Sequence, residues 1–165
     1  MASNVDIRVD TAGKDAAYSS QGLFKHFILS RKIDVPALIA AGTLAATGLV
    51  STNTYYLFNL PKWSLVKGGF IFVRTVDSGG GTISVLCGST TYATTLAIST
   101  AGLITDASGA GFAIANILAF NTGVGTDYCK ITIGTANVTT AIFDVCVEVL
   151  KGDQPYNAGS SGTGQ

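Results

Sequence analysis

Histidine, methionine and tryptophan each occur once in this chain of 165 residues, and proline and cysteine three times each. Charge is also scarce: Asp, Glu, Lys and Arg make up 12% of the residues, about half their usual share. Each shortage excludes something. One histidine cannot supply a metal site of several imidazoles, and a Ser-His-Asp arrangement would have to use His26. With 47% hydrophobic residues and so few charges, disorder over most of the chain is excluded. Ten basic and ten acidic residues give a formal net charge of zero. That balance argues against nucleic acid as a partner, because phosphate binding demands a cationic surface. No apolar run reaches the roughly 20 residues of a membrane-spanning helix. The most apolar window, 35–50, is interrupted by Pro36, Gly42, Thr43, Thr47 and Gly48. Asp6 and the lack of an apolar stretch behind it leave no secretory signal, so synthesis in a cytoplasm is expected. Cys87, Cys129 and Cys146 are odd in number and lack Cys-x-x-Cys spacing. Buried thiols acting as small hydrophobes are the expectation, with one disulfide or a shared metal as the alternatives.

The length fits one domain, or a domain with an arm. Nine of the twenty charged residues precede Val35: Asp6, Arg8, Asp10, Lys14, Asp15, Lys25, Arg31, Lys32 and Asp34. Residues 1–34 therefore read as an N-terminal arm. It carries one apolar cluster, Leu23, Phe24, Phe27, Ile28 and Leu29, whose spacing allows one or two helical turns. Residues 35–152 read as the body, and residues 153–165, ending Gly-Ser-Ser-Gly-Thr-Gly-Gln, as a flexible C-terminal tail. A body this poor in charge has a surface suited to cover by other chains, so a homo-oligomer or an assembly component is expected.

The body alternates with period two and is punctuated by glycine, which predicts an all-β antiparallel sandwich or jelly roll. In the last strand Ala141, Phe143, Val145, Val147 and Val149 share one face. Cys129, Ile131 and Ile133 do the same over 128–134, and Lys130 on the opposite face is placed to pair with Asp144 or Glu148. Residues 68–76 and 82–88 predict a hairpin through Asp77-Ser78-Gly79-Gly80-Gly81. Further strands are expected over 55–60, 92–98 and 112–120, with a weaker one over 43–50. The strand over 68–76 is apolar on both faces: Ile71 and Val73 on one, Phe70, Phe72 and Val76 on the other. A single sandwich covers one face of each sheet. The second face calls for cover by the arm or by another subunit. Phe70, Phe72 and the arm cluster Leu23, Phe24, Phe27 and Ile28 are thus candidate interface residues. Trp63, after Pro61-Lys62, is a further candidate, either as an interface anchor or as the cap of a core end.

Nothing in the chain spells catalysis, a metal or a cofactor. Asp144 and Glu148 lie on one strand face about 13 Å apart, too far for a paired-carboxylate mechanism. The glycine-rich stretches 78–81, 109–111 and 123–125 lack the Lys-Ser/Thr of a phosphate loop and read as turns. Asp106 and Asp127 stand alone, without the oxygen ligands of a calcium loop.

Several strings are similar to a known pattern. Arg31-Lys32-Ile33-Asp34-Val35-Pro36-Ala37 is followed, after a small-residue stretch, by Tyr55-Tyr56-Leu57-Phe58-Asn59-Leu60-Pro61. Then come Val66-Lys67-Gly68-Gly69-Phe70-Ile71-Phe72-Val73, the glycine turn, and Ala141-Ile142-Phe143-Asp144-Val145-Cys146-Val147-Glu148. The chain over 31–151 resembles head decoration, or cement, proteins of tailed bacteriophages with a β-sandwich body. It departs from that pattern at Lys62-Trp63, where small residues are usual. The resemblance implies a non-catalytic virion protein on the capsid surface. Its partner would be the major capsid protein, its own state a homo-oligomer with a trimer favoured, and it would touch neither nucleic acid nor membrane. A head-fibre base, a tail or spike part, and a carbohydrate-binding sandwich using Tyr55, Tyr56, Tyr92 or Trp63 are the alternatives.

Overall fold

The chain is described by a computed structural model over residues 4–6, 24–61, 64–88, 90–104 and 128–152. The described residues form β1 (Asn4–Asp6), β2 (Phe24–Asp34), α1 (Val35–Ala40), β3 (Thr54–Asn59), β4 (Ser64–Thr75), β5 (Thr82–Cys87), β6 (Thr90–Ala97), β7 (Gly102–Ile104), β8 (Tyr128–Gly134) and β9 (Ile142–Gly152). They make two sheets, ordered β1-β3-β8-β5-β6 and β2-β9-β4-β7. Every pairing is antiparallel except that of the short edge strand β1 with β3. Apart from β1, the orders 2-9-4-7 and 3-8-5-6 are those of a jelly roll, two Greek keys wound into a sandwich.

Alternation drives the folding of the two sheets onto each other. Phe143, Val145, Val147 and Val149 of β9 face Cys129, Ile131 and Ile133 of β8 and Ile83 and Val85 of β5 in one core, all at 0% exposure. Each large apolar side chain buried this way contributes about 1.5–3 kcal/mol. Strands β5, β8 and β9, each with a neighbour on both sides, carry unbroken buried rows.

The predicted all-β sandwich is present, but four local expectations change. Phe24–Asp34, placed in the arm with helical turns over its apolar cluster, is a strand of the body. It pairs with β9 along its whole length, from Phe24↔Gly152 to Asp34↔Ile142. The partner row on β9 supplies what the local spacing could not reveal. Residues 43–50 form turns rather than a strand, with a single bridge, Leu49↔Val138. Residues 68–76 and 82–88 do not form a hairpin: β4 pairs with β9 and β7, whereas β5 pairs with β6 and β8 in the other sheet. Lys130 does not meet Asp144 or Glu148, since β8 and β9 belong to different sheets; its ammonium lies 5.8 Å from the centre of the Tyr56 ring. The strand expected over 112–120 and the tail 153–165 lie outside the described residues.

The turn between β4 and β5 explains the missing hairpin. Asp77 is 1% exposed and its Oδ2 accepts from the amides of Gly79 (2.9 Å) and Gly81 (3.5 Å). Its Oδ1 accepts from Thr139 N (3.1 Å), Thr140 N (3.4 Å) and Thr140 Oγ1 (3.2 Å) on the link from β8 to β9. Its own amide donates to Ile98 O on the way from β6 to β7. One residue, through its carboxylate and its amide, thus ties together three chain crossings between the sheets. A further crossing, through α1, joins at the same end, where Val35 N donates to Ala141 O. Helix α1 starts on Asp34, whose Oδ1 accepts from Ala37 N at 3.2 Å, and Pro36 fits its first turn.

Candidate functional site

The outer face of β2-β9-β4-β7 is built row by row from the strand register, because opposed residues in an antiparallel ladder share a face. One row is Lys32, Asp144, Phe72 and Leu103; the next is Ser30, Cys146 and Phe70; the third is Ile28, Glu148 and Gly68; the last is His26, Leu150 and Leu65. Phe72 is 39% exposed, Ile28 47% and Leu103 61%. Phe70 is half-buried in the row behind. Val76, just past β4, is also exposed. Among the described residues, every large hydrophobic side chain that stands exposed belongs to this sheet or its immediate continuation.

Charges sit between the apolar groups. Arg74 Nε donates to Asp144 Oδ2 at 2.6 Å, and its guanidinium lies 5.6 Å from the centre of the Phe72 ring. His26 Nε2 lies 2.5 Å and Lys67 Nζ 3.6 Å from Glu148 Oε1. Lys32 pairs with Asp34 at 3.3 Å. Exposed pairs of this kind are worth at most about 1 kcal/mol each, so they shape the face more than they stabilise it. The Cys146 thiol is pushed up from its ordinary value by burial, with the Asp144 charge adding and Arg74 opposing. Asp144 and Glu148, considered above as paired carboxylates, thus each hold their own cation and share none.

The opposite outer face, that of the five-stranded sheet, differs in kind. Thr54 and Thr132 share a hydrogen bond at 3.0 Å, and Thr82 and Thr135 one at 3.1 Å. Tyr56 and Tyr128 meet edge to face with ring centres 5.1 Å apart. Among the described residues it is a hydroxyl face carrying one aromatic pair.

The sequence candidates are distributed as follows. Ile28, Phe70 and Phe72 are brought together on the four-stranded face, while Phe24 and Phe27 lie in the same sheet as residues of β2. Leu23 and Trp63 lie outside the described residues. Tyr55 and Tyr92, named for sugar binding, are 1% exposed and belong to the core. Leu103 was missed as a member of the face: its place depends on which strands are neighbours, and no local pattern carries that. The turn at Asp77 was legible, but not the reach of its carboxylate to Thr139 and Thr140, some way along the chain. Among the described residues no three His, Cys, Asp or Glu side chains gather as a metal site, and no helix is long and apolar enough to cross a membrane. No protein-family model, curated protein or solved structure matches the chain.

Proposed function

We propose that this protein is a non-catalytic virion component that binds the outside of an assembled tailed-phage capsid and stabilises it by bridging neighbouring major capsid subunits. The observation that carries the reading is the apolar face of Ile28, Phe70, Phe72 and Leu103 outside a sandwich whose core is already complete. A second apolar face is a cost in solvent and a gain against another chain. The jelly roll recurs in capsid and lectin domains, which is an analogy of fold and not of site. The mechanism is additive burial: each copy makes modest contacts, and the repeated lattice multiplies them by avidity. A homo-oligomer, with a trimer favoured, would present several such faces at once.

Density-gradient banding of source particles, with this chain quantified against the most abundant shell protein, tests the proposal. A fixed high ratio that survives washing is expected. A few copies per particle would instead mean a fibre base, tail or spike part, and absence from particles would overturn the virion reading. The hydroxyl face with Tyr56 and Tyr128 favours a carbohydrate-binding module as the second reading. Retention on a glycan array, lost in Tyr56→Ala, would put it first.

A further inference from the structure

Cys87 closes β5, Cys129 is the second residue of β8, and the two are opposed in the antiparallel ladder. The rung beside them is hydrogen-bonded, since Gly88 N donates to Tyr128 O at 2.9 Å. Bonded and non-bonded rungs alternate, so the cysteines occupy a non-hydrogen-bonded rung, where Cα atoms approach to about 4.5 Å and side chains come closest. That spacing falls within the roughly 4.4–6.8 Å that a disulfide spans. Both side chains belong to the core, at 3% and 0% exposure. Cys146 belongs to the other sheet and its outer face, opposite Ser30 and Phe70.

We propose that Cys87 and Cys129 are a cross-strand redox pair that closes to a disulfide when the folded protein meets a small-molecule disulfide oxidant. The chemistry balances as two exchange steps. The Cys87 thiolate attacks one sulfur of the oxidant, forming a mixed disulfide and expelling one thiolate. Cys129 then gives up its proton and attacks the Cys87 sulfur, expelling the second thiolate. The protein loses two electrons and two protons; the oxidant leaves as two thiols that carry both. Cys87 acts first because it ends its strand, where the ladder frays most easily. Burial, with the Cys87 contact adding, pushes the Cys129 thiol well up, so it stays protonated near neutral pH and closure is slow. The product pins the neighbouring strands β5 and β8 within the five-stranded sheet. The inference goes beyond the shell reading and does not depend on it.

The test uses the full chain, purified in reductant, desalted and incubated with oxidised glutathione. One sample is kept native and one is held in urea just below the unfolding midpoint. The expected product is lighter by two hydrogen atoms, yields a peptide joining Cys87 to Cys129, and after denaturation alkylates at Cys146 alone. C146A should oxidise as the parent does, whereas C87A and C129A should form no internal bond. Three alkylatable thiols in the native sample, or a bond that forms in urea alone, would overturn the proposal. A persistent glutathione adduct, or a bond that includes Cys146, would do the same. The peptide map of the unsubstituted protein decides the matter even if a core variant fails to fold.

Discussion

At the scale of single residues, Asp77 concentrates more structural consequence than any other charged side chain described here. Its side chain is buried, and four backbone amides depend on it. Asp77→Asn replaces one acceptor oxygen by a donor facing backbone N–H groups, and should cost about 1–3 kcal/mol in chemical denaturation. Asp77→Ala orphans all four amides and should cost about 3 kcal/mol or more. A variant within error of the parent would mean that the crossings hold without this tie. Titration offers a second check at this scale. Cys129 and Cys146 are raised above the ordinary thiol value of 9.0, and Tyr92 above the ordinary phenol value of 10.0, each chiefly by burial. Above pH 9 the unfolded chain releases protons that the folded chain keeps. The unfolded state then binds fewer protons, so stability falls as pH rises. In reductant, the Tm contribution of these groups should be constant from neutral pH to the foot of the thiol range and decline beyond it. Cys129→Ala should make that decline shallower.

Elements show which kinds of information a local sequence holds. Period-two alternation marked the inner rows of β5, β8 and β9, because hydrophobic spacing alone decides which face of a strand is dry. It could not reveal pairing, and the stretch from Gly68 to Gly88 shows why. Glycine there signals a tight reversal in either case, yet Gly81 is small for another reason. A Cβ on Gly81 would stand 2.5 Å from Val138 Cγ2 and 3.2 Å from Ala136 O, so the glycine admits the β8–β9 link and not a hairpin. Two other glycines separate conformation from crowding. Both Gly42 (φ +72°) and Gly48 (φ +69°) are left-handed, but a Cβ on Gly42 meets nothing within 4 Å, whereas one on Gly48 would lie 2.1 Å from Val138 O. Gly42→Ala should cost about 1 kcal/mol for its backbone conformation. Gly48→Ala must also break the Leu49–Val138 bridge and should cost several-fold more in the same denaturation assay. Strand β2 gives the third test. Deleting residues 2–30 removes most of its ladder with β9 and should abolish cooperative unfolding, so that truncation cannot serve as a test of an arm.

For the molecule as a whole, the fold class was legible and the candidate face only in part. Phe70 and Phe72 announced themselves because they make one strand apolar on both sides. Ile28 was legible only as part of a sticky cluster, and Leu103 not at all, since its contribution arises from lying opposite Phe72 in β7. The consequence is a face whose centre spans three parts of the chain far apart in sequence, which a docking partner would read as one surface. Phe72 and Leu103 are both substantially exposed, so Phe72→Ser with Leu103→Ser should change folding stability by less than about 1 kcal/mol. If the shell reading holds, the same pair should lower retention on particles by a large factor, because each copy loses the centre of its buried patch and the lattice multiplies the loss. Lys32→Ala, at the rim of the same row, should change retention little and mainly alter its dependence on salt. Particles stripped of this protein, then incubated with parent or variant and re-banded, provide the measurement. Equal retention of the parent and the double variant, with both folded, would move the contact away from this sheet and leave the hydroxyl face of the other sheet as the surface to test.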